Sequence, residues 1–299
     1  MPRQMTMTDF EDRGTLIKYL AEQLTGGRLA LVLGAGVSSY FGLPKWDDLL
    51  ERLYARRGIT RDPNLDLKRQ AQFFKNEFFK NDKKGFIATV REELYHGISI
   101  DFESMRRYPT LGAIGSLVMS SKRGSASDVI TFNWDDLLEI YLGYHGFVTS
   151  SIIQDRFWAE NSDVRVLHPH GFLPYDPATL GTDDIIFDQT SYTSVIGDET
   201  QPWRQHMLTI LMTHTCLFIG LSGTDDNLDN LLYRAQKSHA YSTDNTACWG
   251  LTFKTAGEQH LCSFWEERGI FCQEISDYNS DLPDFLFKIC QEAGKQRSK

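Results

Sequence analysis

The sequence predicts an α/β protein built on a doubly wound parallel sheet. Two short apolar runs, residues 29–33 and 128–132, have the continuous hydrophobic character of parallel strands that are buried on both faces. Segments with the apolar periodicity of helices alternate with these and with later runs along the chain. The turn Gly34-Ala35-Gly36 ends the first run, as expected where a strand passes tightly into a helix.

The apolar spacing places the remaining elements in order. Helices are expected at 15–24, from 46, in two segments between 65 and 95, at 110–120, from 137, and at 203–213, 227–237, 257–267 and 283–292. Strands are expected at 29–33, 128–132, 147–153, 164–167, 185–187, 216–221, 248–253 and 270–275. A helical insertion, about residues 47–122, separates the first two strands, and we expect residues 1–299 to form a single domain.

Composition excludes several classes of protein. The net charge of −9 argues against nonspecific binding to nucleic acid, which depends on neutralising phosphates. The sequence has no apolar run long enough for a membrane span, and its first residues lack the apolar core of a signal peptide, so a cytoplasmic location is expected. The five cysteines form no C-x-x-C pair, so we expect buried free thiols at 216, 248 and 272, no zinc ribbon and no metal.

Polar clusters follow four of the predicted strands. Ligands bind beyond the carboxyl ends of the strands in an open parallel sheet, so clusters at these positions predict a binding site. Each cluster alone also has a structural explanation, such as a helix cap or a strand-to-helix turn. The clusters are Gly34 to Ser39, Thr131-Phe-Asn-Trp-Asp135, His168-Pro-His170-Gly171, and Gly220-Leu-Ser222-Gly-Thr-Asp225.

In this order the clusters resemble the motifs of Sir2-type (sirtuin) domains. The resemblance covers about residues 28–230 and implies a Rossmann-like NAD-binding fold in which the helical insertion covers the dinucleotide. The last motif is similar to that of the bacterial Sir2-like branch. The matching residues are Gly34-Ala35-Gly36-x-Ser38 with Gly42-Leu43-Pro44, Thr131-x-Asn133-x-Asp135, His170-Gly171, and Phe218-x-Gly220-x-Ser222-x-x-Asp225-x-x-Leu228.

The resemblance also implies roles for these residues. Asn133 would position the attacking group beside the nicotinamide ribose, and His170 would be the general base. His168 is the competing histidine, and His170 is preferred because it precedes Gly171. The NAD-binding residues would be Gly34, Ala35, Gly36 and Ser38 at the phosphates, Thr131 in the motif of Asn133, Trp134 and Asp135 at the nicotinamide carboxamide, and Gly220 and Ser222 along the adenosine and pyrophosphate.

Departures from the sirtuin pattern indicate which reaction to expect. Deacylating sirtuins carry a zinc ribbon with two C-x-x-C pairs, a glutamine where this chain has Phe132, and Asp-Phe-Arg where it has Lys45-Trp46-Asp47. Cleavage of the nicotinamide–ribose bond develops positive charge on the ribose, and an uncharged amide can orient a water there. The resemblance therefore implies hydrolysis of NAD⁺ to nicotinamide and ADP-ribose, as in the Sir2-like hydrolases that deplete NAD in anti-phage defence.

Two alternatives stay open at this point. The departures at Phe132 and 45–47 also fit a regulatory subunit that binds NAD or ADP-ribose without turnover, and NAD-dependent protein deacylation is the second, less favoured alternative.

An unregulated NAD hydrolase would kill its own cell, so we expect control by self-assembly or by a partner. The resemblance implies a HerA-type DNA-translocating ATPase or an Argonaute-like protein, and the basic, aromatic helices of residues 65–95 are the predicted contact surface.

Overall fold

The computed structural model describes residues 6–119, 121, 123–153, 161–198, 200–239 and 248–297. Within these residues, seven strands form one parallel sheet in the order β3-β4-β2-β1-β5-β6-β7. The strands are β1 (Leu29–Leu33), β2 (Asp128–Thr131), β3 (Thr149–Ile153), β4 (Val164–His168), β5 (Thr215–Ile219), β6 (Gly250–Lys254) and β7 (Ile270–Glu274).

Helices join the strands and cover both faces of the sheet. Before and within the insertion they are α1 (Met7–Phe10), α2 (Arg13–Thr25), α3 (Ala35–Ser39), α4 (Trp46–Arg56), α5 (Leu67–Phe79), α6 (Lys83–Leu94), α7 (Phe102–Arg106) and α8 (Pro109–Val118). After β2 they are α9 (Leu137–Tyr144), α10 (Gln189–Gly197), α11 (Pro202–Thr213), α12 (Asp226–His239), α13 (Cys262–Glu266), preceded by a 3₁₀ helix (Ala256–Leu261), and α14 (Asp281–Arg297).

Strand β1 is central and buried along its whole length because helices cover both faces. Leu31 and Leu33 point into a core that also contains side chains of α2, α8 and α14. Ala30 and Val32 point to the other face, into a core shared with α11 and α12. A parallel strand with two covered faces needs apolar residues at every position, which is the pattern that predicted it.

The insertion is tied to the rest of the chain by three lysines. Lys68 of α5 pairs with Asp226, Lys75 pairs with Asp188 at 2.7 Å between nitrogen and oxygen, and Lys83 of α6 pairs with Asp184 at 2.9 Å. The aromatic residues Phe74, Phe79 and Phe86 of these helices are buried. These side chains thus make contacts within the chain, and a partner surface at 65–95 stays a prediction.

Most predicted elements are confirmed. The run 185–187 is an exception: it is buried but is no strand, because its contact to the end of β4 is the single bond from Ile186 N to His170 O (2.8 Å) and Asp188 then caps α10. The helix predicted at 257–267 is a 3₁₀ helix followed by α13. Helices α1, α3, α7 and α10 were not predicted.

The predicted end of the 110–120 helix, the predicted end of the insertion and the single-domain assignment are not tested by the described residues. Ser120 and Lys122, at the predicted ends of the 110–120 helix and of the insertion, lie outside the described residues. The assignment of 1–299 to one domain stays a prediction. No helix within the described ranges has both the length and the apolar character needed to cross a lipid bilayer.

Candidate active site

A cavity of about 220 Å³ opens at the carboxyl ends of β4, β2, β1 and β5, four adjacent strands in the middle of the sheet. Adjacent parallel strands end at the same edge, so the turns that follow them meet although they are distant in sequence. All but two of the predicted site residues line this cavity: Gly34, Ala35, Ser38, Asn133, Trp134, Asp135, His170, Gly220 and Ser222.

The two exceptions, Gly36 and Thr131, contact the main chain of the turns that line the cavity. The Gly36 N–H donates to Gly220 O at 2.9 Å, and a Cβ on Gly36 would lie 2.7 Å from Gly220 Cα. The Thr131 hydroxyl accepts a hydrogen bond from Asn133 N at 3.2 Å. Gly36 therefore allows the turns after β1 and β5 to touch, and Thr131 fixes the main chain at Asn133.

The main-chain N–H groups of the first turn are largely used within the protein. Gly34 N donates to Ile219 O and Val37 N to Gly34 O, both at 2.9 Å. A Cβ on Gly34 would lie 2.5 Å from Leu221 Cδ2, so the structure needs glycine there for close packing. That these residues contact a phosphate stays a prediction, but its physical basis is close approach of the backbone rather than a set of free donors.

The Asn133 amide is held in one orientation by two acceptors. Its Nδ2 donates to Gly34 O at 3.1 Å and to Ser38 Oγ at 2.9 Å. Because a carbonyl oxygen can only accept, the NH₂ group must face Gly34, which leaves the carbonyl oxygen Oδ1 as the part of the amide that a ligand can use. Ser38 in turn donates to Asp135 Oδ2 at 2.7 Å, while burial raises the pKa of Asp135.

The neighbouring histidine, His168, is buried below the cavity and does not line it. Its Nδ1 lies 3.1 Å from Asn133 O and its Nε2 lies 2.7 Å from Glu139 Oε1. Both partners accept, so the doubly protonated ring satisfies them best. Burial lowers the pKa of His168, but attraction to Glu139 and the hydrogen bonds outweigh it and the pKa is raised. His168 thus supports the main chain of Asn133.

His170 has a different environment. Its ring lines the cavity, and its Nε2 has no hydrogen-bond partner within the described residues. The Trp134 indole donates to His170 O at 2.9 Å, and the ring of Phe132 lies edge-on at 4.9 Å between centroids. Burial lowers the pKa of His170, so at neutral pH Nε2 can act as a proton acceptor.

Three further residues surround His170 and were not among the predicted site residues: Lys68, Tyr192 and Asp225 all line the cavity. Asp225 Oδ2 lies 3.6 Å from His170 Nε2, and Lys68 Nζ lies 4.6 Å from the centre of the Tyr192 ring. Asp225 lies in the polar cluster after β5 and could have been singled out there. Lys68 and Tyr192 come from helices whose approach to the cavity has no local sequence signal.

One group of side chains away from the cavity lining has metal-ligand character. The described residues Cys262, Glu266 and Cys272 bring ligand atoms within 4.8 Å of one another. Burial lowers the pKa of Lys254, but a hydrogen bond to Cys262 and attraction to this group raise it overall. A lysine ammonium thus already supplies positive charge there. The described cysteines are free, and Cys216, Cys248 and Cys272 are buried as predicted.

Comparison with known proteins supports the resemblance to Sir2 proteins. Residues 127–272, from the start of β2 into β7, match the family model of the SIR2-like domain. The match bears out the resemblance to SIR2-like domains, and the parallel sheet with helices on both faces confirms the predicted α/β class. The match covers the turns that contribute Asn133, His170 and Gly220 to the cavity.

Curated relatives match more of the chain. A protein named NAD(+) hydrolase ThsA from Enterococcus faecium is 26% identical over 224 residues, covering 74% of this chain and 42% of the relative. A protein of the same name from Acinetobacter baumannii (strain 532279) is 23% identical over 282 residues, covering 93% of this chain and 49% of the relative. Defense-associated sirtuin 2 from Bacillus subtilis is 27% identical over 223 residues, covering 74% and 20%. The chain thus spans less than half the length of each relative.

Proposed function

We propose that this chain hydrolyses NAD⁺ to nicotinamide and ADP-ribose. The observation that carries the proposal is the shared cavity: an oriented amide, Asn133, and a buried, neutral imidazole, His170, face the same space beside the turns that end β1 and β5. The names of the relatives from Enterococcus and Acinetobacter support the same activity.

The arrangement suits cleavage of a glycosidic bond to a cationic leaving group. As the nicotinamide–ribose bond lengthens, positive charge develops on the ribose ring, and a water must approach it. Asn133 Oδ1 can accept a hydrogen bond from that water, since both amide hydrogens are held by Gly34 and Ser38. Asp135 accepts the hydrogen bond of Ser38 and so fixes the hydroxyl that holds the Asn133 amide.

His170 supplies the base. With a lowered pKa, the ring is neutral at neutral pH, and the tautomer that carries its proton on Nδ1 can take a proton from a ribose hydroxyl at Nε2. General-base assistance of this kind accelerates a reaction by about 10²–10⁴-fold. Trp134, which holds the His170 carbonyl, fixes the loop that presents the ring.

We test the activity by measuring nicotinamide and ADP-ribose released from NAD⁺ by the wild-type chain and by Asn133→Ala and His170→Ala. Both substitutions should abolish release and leave the melting temperature within a few degrees of wild type. His96→Ala, which changes an exposed histidine, is the matched control and should behave as wild type. Full activity of either site variant contradicts the proposal, and NAD⁺ that binds but stays intact even with the candidate partner present indicates the non-catalytic alternative.

We further propose a role in defence, controlled by self-assembly or by a partner such as a HerA-type ATPase or an Argonaute-like protein. The name of the relative from Bacillus subtilis supports the defence role. Mass photometry of the chain alone and with its candidate partner, combined with the nicotinamide assay, tests the control. A strictly monomeric chain that is fully active alone would contradict it.

A further inference from the structure

Asp225 is fixed at both carboxylate oxygens and still faces the cavity. It precedes α12, and its Oδ1 accepts the hydrogen bond of Leu228 N at 2.8 Å, as a helix N-cap does. Its Oδ2 accepts the hydroxyl hydrogen bond of Tyr192 at 2.9 Å. The same Oδ2 lies 3.6 Å from His170 Nε2. A carboxylate held in this way has its position set by the protein rather than by solvent.

Two charged side chains and two aromatic rings surround the His170 ring. Asp225 faces Nε2 from the turn after β5, and Lys68 faces it from α5 of the insertion. The Tyr192 ring of α10 lies edge-on at 5.4 Å between centroids, and the apolar ring of Phe132 lies at 4.9 Å. Of the charged groups described around this ring, Asp225 is the one that can stabilise a positive charge on it.

We propose that Asp225 is a positioning residue for His170, whose carboxylate stabilises the imidazolium that forms when Nε2 takes a proton from the substrate. This inference rests on the proposed function and assigns a role to a residue outside the predicted catalytic pair. In the step, the hydroxyl O–H bond breaks, the proton joins Nε2, and the electron pair stays on the ribose oxygen.

Burial explains why the base needs such a partner. The His170 side chain is 6% exposed, and a cation at such depth without a counter-charge is strongly destabilised because it has lost most of its hydration. The separation of 3.6 Å is too long for a hydrogen bond in the resting state. Once Nε2 carries a proton, a small movement gives a charge-assisted bond of about 2.8 Å.

The other carboxylate near a histidine does not serve this purpose. Glu139 accepts from His168 Nε2 and from Ser151 Oγ, and it lies below the cavity rather than beside His170. Lys68 opposes protonation of His170, because its charge lowers the pKa of that ring. Asp225 is therefore the carboxylate that acts on His170, and it opposes the effect of Lys68 on the pKa of that ring.

The test is Asp225→Asn, which removes the charge but keeps an oxygen that can cap α12. We expect kcat to fall by about 10- to 100-fold with a smaller change in KM, because the cation exists only after proton transfer. The acidic limb of the pH profile of kcat/KM should move to lower pH, because Asp225 raises the pKa of His170. The matched control is Asp229→Asn, in the first turn of the same helix, whose carboxylate pairs with Arg268.

A second measurement does not depend on turnover. The titration of His170, followed by NMR and assigned with His170→Gln, should shift to lower pH in Asp225→Asn and stay at its wild-type position in Asp229→Asn. A kcat within twofold of wild type together with an unshifted titration overturns the role of Asp225. A shifted titration in a chain that releases no nicotinamide, either alone or with its candidate partner, would instead overturn the proposed function and leave the contact between the two side chains standing.

Discussion

The two sides of the turn that ends β4 carry histidines with opposite environments. On the buried side, both ring nitrogens of His168 face acceptors, and the pKa of the ring is raised. On the cavity side, Nε2 of His170 has no hydrogen-bond partner in the described part of the chain, and the pKa of the ring is lowered. His168 is thus a structural histidine, whereas His170, two residues further along the chain, can exchange a proton with a ligand.

The difference shows what makes a buried histidine available for chemistry. A buried polar group whose partners are all provided by the protein contributes to stability, and changing its protonation breaks those contacts. A buried nitrogen that faces a cavity has capacity left for a ligand. By this criterion His168 holds Asn133 in place and His170 acts on the substrate. Substitutions on the two sides of the turn should therefore affect stability and activity in opposite proportions.

The largest expected effect is on the cavity side. His170→Gln should lower kcat/KM for NAD⁺ by about 10²–10⁴-fold, because the proton acceptor is lost. The free energy of unfolding, from urea titration, should change by less than about 1 kcal/mol, because no hydrogen bond of the described chain to Nε2 is removed. A variant that loses stability in proportion to its activity would make His170 structural as well.

The buried side should respond in the opposite manner. Glu139→Gln leaves the buried His168 ring without its carboxylate and should cost about 3 kcal/mol of unfolding free energy. Because the pKa of His168 is raised in the folded state, the contribution of the pair is fully present below pH 6.5 and is lost as the pH rises through the folded pKa. Urea titrations at pH 6 and pH 9 should show a larger loss at pH 6. An equal loss at both would mean that His168 is not charged in the fold.

A third test concerns Asp136, next to the site. Burial, with repulsion from Glu139, raises the pKa of Asp136 to about 7. Because the folded pKa exceeds the unfolded one, this carboxyl reduces stability progressively as the pH rises from about 4 to 7. Asp136→Asn should therefore gain about 2 kcal/mol relative to wild type between pH 5 and pH 8. Differential scanning calorimetry at the two pH values measures this, and a constant difference would contradict a buried, titrating Asp136.

The smallest expected effect comes from the insertion. Lys68→Met removes a charge that lowers the pKa of His170, so the acidic limb of the kcat/KM profile should move to higher pH, opposite to the shift expected for Asp225→Asn. Lys83→Met, whose exposed lysine also pairs with an aspartate but does not line the cavity, is the control. Identical profiles for both lysine variants would show that Lys68 does not act on the base.

Local patterns in the sequence predict the sheet and the turns that carry the site. Continuous apolar runs identify β1, β2 and β5, and the polar residues that follow them meet because parallel strands end at one edge. The run 185–187 was wrongly predicted to be a strand, because its burial comes from packing against the turn at His170 rather than from a strand ladder. An apolar run alone does not distinguish these two cases.

What could not be predicted depends on contacts between distant segments. Lys68 and Tyr192 reach the cavity only because α5 and α10 fold back over the sheet edge, and nothing in their neighbours in sequence specifies that. The resemblance selects His170 over His168, but the physical reason for their difference could not be predicted, since it depends on Glu139 lying below one ring and Asp225 beside the other.

The most direct test of the central claim is a crystal structure of Asn133→Ala with NAD⁺ bound and uncleaved. The account predicts the nicotinamide ribose with a hydroxyl at His170 Nε2, and the diphosphate between the turn at 34–38 and that at 220–222. A dinucleotide bound outside this cavity, or bound within it with the nicotinamide ribose turned away from His170, would contradict the account.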